Sequence, residues 1–308
     1  MIIKEQLSPD MLRLNSLQNW QYLPSGGNLM NGYTRAGSND SPRLHFLHGT
    51  GFSSKTLAPL SALLPEDWEL WFSDVPGHGG SEQPNHRMPN WQKLANTVAD
   101  ALYAKADIEN KGPLIGIGHS MGGVVTLLAA AKYPTLFSKI ILLDPVLFKT
   151  EIIIAQHLMR TTGVWKQSAL VRSVSNRRAT WPNIDSMVEE LQSKQLYSQW
   201  HPEVLLQFAH DATKENEKGE IELCCDPRWE GSIFGSYPTG LWNAVRKVAI
   251  PVEILAAEKS YGFIPTAAKK AAKINPKISW QTFGKRHCFP MEQPLEAAQK
   301  IKQLISVG

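Results

Sequence analysis

Cysteine is scarce in this chain, with three residues of which two, Cys224 and Cys225, are neighbours. Adjacent cysteines bridge only with strain, so reduced thiols are expected rather than a disulfide framework. Long apolar runs are missing too. The longest, residues 124–131, is broken by Thr126 and falls far short of the roughly 20 residues that a membrane-spanning helix needs. Residues 1–19 mix charged with apolar side chains and lack a continuous apolar stretch ahead of small residues. No secretory signal is therefore expected, and the default address is cytoplasmic. Charge of one sign is nowhere concentrated: 32 Lys and Arg stand against 28 Asp and Glu, a net +4. Spread along the chain, these charges form no stripe for nucleic acid. Paired Cys-x-x-Cys units and His-x-x-x-His spacings are also lacking, so no metal site is expected. Chemistry is left to side chains alone, without cofactor.

What is present is enough apolar residue, 43% of 308, to fill a large core. In the first half, short apolar runs alternate with helical patterns, the rhythm of parallel strands joined by crossover helices. Strands are expected at 43–47, 69–73, 113–118 and 139–143, and helices at 57–64, 91–105 and 121–133. The rhythm breaks over 146–246, which reads as helical and irregular and holds five of the ten tryptophans: Trp165, Trp181, Trp200, Trp229 and Trp242. It then resumes with strands at 252–256 and 278–283 and helices at 266–273 and 295–305. The economical reading is one α/β core, 1–145 and 247–308, interrupted by an insertion at 146–246. The charged cluster 214–220 reads as a solvated loop.

Gly118-His119-Ser120-Met121-Gly122 fits the nucleophile elbow Gly-x-Ser-x-Gly, with an apolar strand before it and a helix after it. A strand that turns abruptly into a helix strains the serine backbone and leaves no room for side chains at the flanking positions. The helix amides that follow would favour negative charge beside Ser120. Three further stretches join the elbow: His48-Gly49-Thr50-Gly51, the loop Asp74-Val75-Pro76-Gly77-His78-Gly79-Gly80-Ser81, and Gly284-Lys285-Arg286-His287-Cys288-Phe289-Pro290. Together they resemble the α/β-hydrolase superfamily, in its order of nucleophile first and histidine last.

The resemblance implies a mostly parallel central sheet flanked by helices, with a helical cap inserted after the sixth strand. It implies Ser120 as nucleophile and His287 as general base, because imidazole accepts and returns a proton near neutral pH. The oxyanion donors would be the amide of Met121 and one from the His48 loop, Thr50 first, with Gly51 and Phe52 as alternatives. His48, His78, His119 and Asp74 are expected to be structural. The acid departs from the family pattern: Ala257-Glu258-Lys259-Ser260 puts serine where aspartate is usual. Some members take the acid from the end of the strand after the nucleophile helix, where Asp144 stands, so Asp144 is favoured, with Glu258 or a dyad without a true acid as the alternatives and Ser260 expected to be silent. The cap tryptophans are equally suited to line an apolar pocket or to fill the cap's own core. Arg172, Arg177 and Arg178 read as a solvated helix face, and Cys288 as packing.

The implied function is hydrolysis of a carboxylic ester or related acyl bond of a small, apolar substrate. A cofactor-free carbon–carbon bond hydrolase or perhydrolase could use the same residues, and a non-catalytic binding protein could keep the fold. The discriminating feature is a carboxylate within hydrogen-bond reach of His287 Nδ1.

Overall fold

The computed structural model describes residues 17–25, 27–84 and 89–306, so most of the 1–19 reading lies outside the described residues. The chain forms strands β1 (Gln18–Tyr22), β2 (Met30–Arg35), β3 (Arg43–Leu47), β4 (Glu69–Ser73), β5 (Leu114–His119) and β6 (Phe137–Leu143). Strands β7 (Thr180–Trp181), β8 (Thr213–Glu215), β9 (Ile221–Leu223), β10 (Val252–Ala256) and β11 (Ile278–Thr282) follow. Eight of them make one sheet in the order β1-β2-β4-β3-β5-β6-β10-β11. β2 runs antiparallel to both β1 and β4, and every other neighbouring pair is parallel. The expected mostly parallel α/β sheet is thus present.

Parallel strands covered by helices on both faces read as continuous apolar runs, which is why β3, β4 and β10 fall at the expected residues. The β1–β2 hairpin was not expected. Gln, Asn and Gly interrupt its pattern, and its stability is tertiary: the Trp20 ring lies where a side chain on Gly32 would stand, covering a position that otherwise packs nothing. Residues 57–64 also differ from expectation, since a 3-10 turn, Ser54–Leu57, leads into a short helix, Ala58–Ser61. Pro59 is tolerated there because a first-turn residue needs no intrahelical N–H donor. The same reason lets the helix Phe263–Ile274 begin ahead of Pro265.

Two apolar clusters cover the two faces of the sheet. Alternate residues of β6 divide between them, Ile140 and Leu142 to one and Ile141 and Leu143 to the other, as the two-residue period of a strand requires. The segment between β6 and β10 has no separate core. Trp229, Trp242 and Val245 join the first cluster, and Trp181, Trp200 and Phe208 join the second. Besides helices this segment carries a small sheet, β7-β9-β8. The charged cluster 214–220 is therefore a hairpin rather than a free loop, closed where Asn216 Oδ1 accepts from the amides of Lys218 and Glu220. Among the described residues no helix is long and apolar enough to cross a membrane.

Candidate active site

β5 ends at His119 and the helix Met121–Lys132 starts at once, so Ser120 alone makes the turn. Its backbone takes φ 55° and ψ −118°, a conformation that costs an L-residue about 1–3 kcal/mol. The chain around it is packed too closely for side chains. A Cβ on Gly118 would lie 2.5 Å from the Gly122 carbonyl oxygen, and one on Gly122 would lie 2.3 Å from that of Leu47. The Ser120 amide donates to the Leu143 carbonyl at 3.0 Å, tying the elbow to the end of the next strand.

Strand order now does what chain order cannot. β3, β5 and β6 are neighbours, about 5 Å apart, so the loops that follow them, carrying Thr50, Ser120 and Asp144, emerge side by side. The loop after β11 brings His287 across them. Its Nε2 lies 2.9 Å from Ser120 Oγ and its Nδ1 lies 2.6 Å from Asp144 Oδ2. A carboxylate only accepts, so Nδ1 carries the proton and Nε2 accepts from the serine hydroxyl. Asp144 is fully buried and Ser120 is 8% exposed, so the carboxylate is shut from water while the hydroxyl remains reachable.

Asp144 also sits at positive φ, 44°, a region that Asp tolerates better than most residues. Its amide donates to the Leu255 carbonyl at 2.7 Å. Its Oδ1 accepts from the Ala257 amide at 2.8 Å, and its Oδ2 accepts from the Ser260 hydroxyl as well as from His287. Glu258 is not brought to His287. Beyond β10 the chain pairs with the loop after β11, the Glu258 amide donating to the Gly284 carbonyl and the Lys259 amide to the Lys285 carbonyl. That pairing leaves the side chain of Glu258 exposed and turns Ser260 toward Asp144.

Of the three amides considered in the His48 loop, two are engaged. Gly51 N–H donates to His78 Nε2 at 3.0 Å and Phe52 N–H donates to the Gly49 carbonyl at 3.3 Å. The Thr50 N–H has no hydrogen-bond partner among the described residues. The Thr50 hydroxyl touches Met121 Sδ at 3.4 Å, which sets the residue beside the start of the elbow helix. Met121 opens that helix, where first-turn amides have no intrahelical acceptor.

The remaining polar groups of these loops are tied to backbone. His48 donates through Nδ1 to the Gly49 carbonyl and accepts the Val75 amide at Nε2. Asp74 accepts from the amides of Ser54 and Gly80 and from the Asn31 side chain. Burial pushes His78 down to about 3. It pushes His119 down to about 3 as well, with His287 adding to the effect. His119 Nε2 donates to the carbonyl of His287 at 2.9 Å, so the elbow holds the histidine loop by its backbone. Neither this bond nor that of Ser260 leaves a local sequence signal, because each joins residues more than 100 positions apart.

Segment 146–246 corrects two expectations. Trp181, Trp200, Trp229 and Trp242 are buried, in cores shared with the sheet rather than in one of their own. Trp200 meets Phe52 edge-on at 5.2 Å, and Phe52 stacks on His119 at 6.1 Å. The three arginines do not form a solvated face together. Arg178 reaches Glu190 at the surface, and Arg172 is exposed. Arg177, however, forms an ion pair with the buried Glu230 at 2.8 Å, whose pKa burial raises against the pull of Arg177. Cys288 is buried beside His287, its thiol pushed well up by burial.

A sequence profile described as serine aminopeptidase, S33, matches residues 39–216, more than half of the chain. The chain is 36% identical over 102 residues to a serine hydrolase-like protein of Danio rerio, covering 32% of this chain and 29% of that protein. It is 31% identical over 103 residues to a 2-(acetamidomethylene)succinate hydrolase of Mesorhizobium japonicum, covering 33% of this chain and 35% of that protein. Each match thus spans about a third of the relative's length. The crystal structure of an E-2-(acetamidomethylene)succinate hydrolase superposes with a TM-score of 0.72 at 20% identity, over 94% of this chain and 99% of that one. By the profile match and the strand order that accompanies it, the chain belongs to the serine aminopeptidase, S33, family of the α/β-hydrolase fold.

Proposed function

We propose that this protein cleaves a carboxylic ester or related acyl bond through an acyl-serine intermediate on Ser120. One observation carries the reading: an unbroken chain of hydrogen bonds from Ser120 Oγ through His287 to the buried Asp144 carboxylate. Each part has a chemical task. His287 Nε2 takes the hydroxyl proton as Ser120 Oγ bonds to the carbonyl carbon, and Asp144 stabilises the imidazolium that results. The oxyanion is received by the amides of Met121 and Thr50, and the Thr50 amide breaks no hydrogen bond within the described residues to do so. His287 then protonates the leaving alkoxide. Water attacks the acyl-serine with His287 again as base, which releases the acid and restores Ser120.

The carboxylate beside His287 Nδ1 speaks against a binding protein that has lost its chemistry. Segment 146–246 acts as the cap, its Trp200 and Phe208 packing on Phe52, which in turn stacks on His119 of the elbow, and the substrate is a small apolar ester. The test is labelling with a fluorophosphonate probe, mapped by mass spectrometry in the wild type and in Ser120→Ala. Labelling confined to Ser120, followed by turnover of p-nitrophenyl esters, supports the proposal; a folded protein that does not label overturns it.

A further inference from the structure

Asp144 carries more hydrogen bonds than orienting an imidazole demands. Two donors besides His287 reach it, the Ala257 amide on Oδ1 and the Ser260 hydroxyl on Oδ2. Ser260 is the informative one, because it shares the very oxygen that faces His287 Nδ1. It also stands at the family's usual acid position, so the structure joins the displaced acid and the residue left in its place by a hydrogen bond. We infer that Ser260 is a positioning residue that holds the Asp144 carboxylate against His287 and moderates its charge, and that an acid at position 260 lies within reach of the same imidazole. The inference rests on the reading of Ser120, His287 and Asp144 given above.

The physical argument runs through charge. A hydroxyl that donates to a carboxylate oxygen draws off part of its negative charge, and bonds to ionised groups are the stronger ones. Removing it leaves Oδ2 to His287 alone, so the carboxylate stabilises the imidazolium more and the imidazole becomes more basic. The carboxylate also loses one of the contacts that fix its rotamer at positive φ. Ser260 thus fixes the geometry of the carboxylate that faces His287.

The other groups around His287 leave this pair legible in a pH profile. His119, with its ring 5.1 Å away, is neutral, since burial pushes it down to about 3. Tyr261 meets His287 edge-on at 5.0 Å, and burial raises its hydroxyl pKa above the ordinary value. Burial likewise keeps the neighbouring Cys288 a thiol. Arg286, next along the chain, is paired with Glu292 at 3.0 Å. A difference in the acid limb of kcat/KM between Ser260 variants therefore reports on the contact of Ser260 with Asp144.

The experiment uses the full chain with p-nitrophenyl acetate. In Ser260→Ala we expect kcat to fall about 3- to 10-fold with KM unchanged, and the acid limb to move up by roughly half a pH unit. Ser260→Thr, which keeps the hydroxyl, should recover kcat to within about twofold. Asp144→Asn should lose about 10⁴-fold, and Ser260→Asp added to it should regain at least about tenfold. An Ala variant with unaltered kcat and acid limb, a loss that Thr does not recover, or a double variant no better than Asp144→Asn would each overturn the inference. Proton NMR of the His287 Nδ1–H signal separates this failure from failure of the functional reading. A signal that shifts and titrates higher in Ser260→Ala upholds the contact even in a protein without esterase activity, and an unmoved signal overturns it.

Discussion

The strand-end loops and segment 146–246 are held together in opposite ways. At the ends of β3, β4 and β5, polar side chains are tied to backbone: His48 to Gly49 and Val75, Asp74 to Ser54 and Gly80, His119 to His287. Segment 146–246 is anchored by aromatic and aliphatic residues driven into the sheet's own clusters. It also leaves apolar side chains exposed. Seven of the nine exposed large apolar side chains among the described residues belong to it, Leu158, Ile154 and Leu170 above all. The helix Thr150–Thr161 has no buried residue. Hydrogen bonds fix distance and direction, as reacting atoms require, whereas apolar packing fixes mainly volume and tolerates repacking. The loops thus hold fixed positions and directions, and the segment holds mainly a volume.

This contrast is sharpest at Ser120. Ser120→Ala should lower ester turnover by about 10⁶-fold while leaving the thermal midpoint nearly unchanged, measured by p-nitrophenyl ester hydrolysis and calorimetry. Asp144→Asn should cost about 10⁴-fold because it disturbs the imidazole tautomer, whereas Glu258→Gln should leave kcat intact. Full activity in Asp144→Asn would remove Asp144 from its proposed role. In the segment, Phe208→Ala should destabilise the whole chain by about 3–5 kcal/mol in urea unfolding, because Phe208 is fully buried among Phe52, Tyr197 and Trp200. An independently melting segment would contradict the shared core.

Acid should reach the sheet and its loops first. His45, His78 and His119 all lie outside 146–246, and burial holds each at about 3. A histidine whose pKa is lowered on folding contributes stability that is intact above its unfolded value, about 6.5, and lost as pH falls from there toward the folded value, since only the unfolded chain binds the proton. The thermal midpoint should therefore drop steadily between about pH 6.5 and pH 3. His45→Gln, which keeps a partner for the Ser73 hydroxyl, should make that slope shallower. The smallest effect belongs to the helix Thr150–Thr161: Leu158→Ser should change stability by no more than about 0.5 kcal/mol, because its side chain is 58% exposed.

The parts of the fold legible in the chain are those with a local cause. β3, β4 and β10 are apolar runs bounded by turn residues, and they form at the expected positions. The strand-to-helix junction at Ser120 is announced by glycines that nothing larger could replace. The β1–β2 hairpin escaped because its pattern is broken and its support, Trp20 over Gly32, comes from across the pair. The 214–220 hairpin was hidden by its charge for a similar reason, its closure depending on Asn216 rather than on apolar alternation.

Residue types and their order along the chain were thus enough to indicate an α/β sheet, an elbow at Ser120 and a histidine loop at its end, because turns and apolar runs are short-range consequences of side-chain shape. They left open which carboxylate faces His287 and which amide beside Gly49 lacks an acceptor. Those choices were made by tertiary structure alone. Strand order sets β6 beside β5, the pairing of the loops after β10 and β11 turns Glu258 outward and Ser260 inward, and His78 and Gly49 engage the amides of Gly51 and Phe52 and leave that of Thr50. A hydrogen bond between residues more than 100 positions apart depends on where the sheet brings them, not on their spacing in the chain.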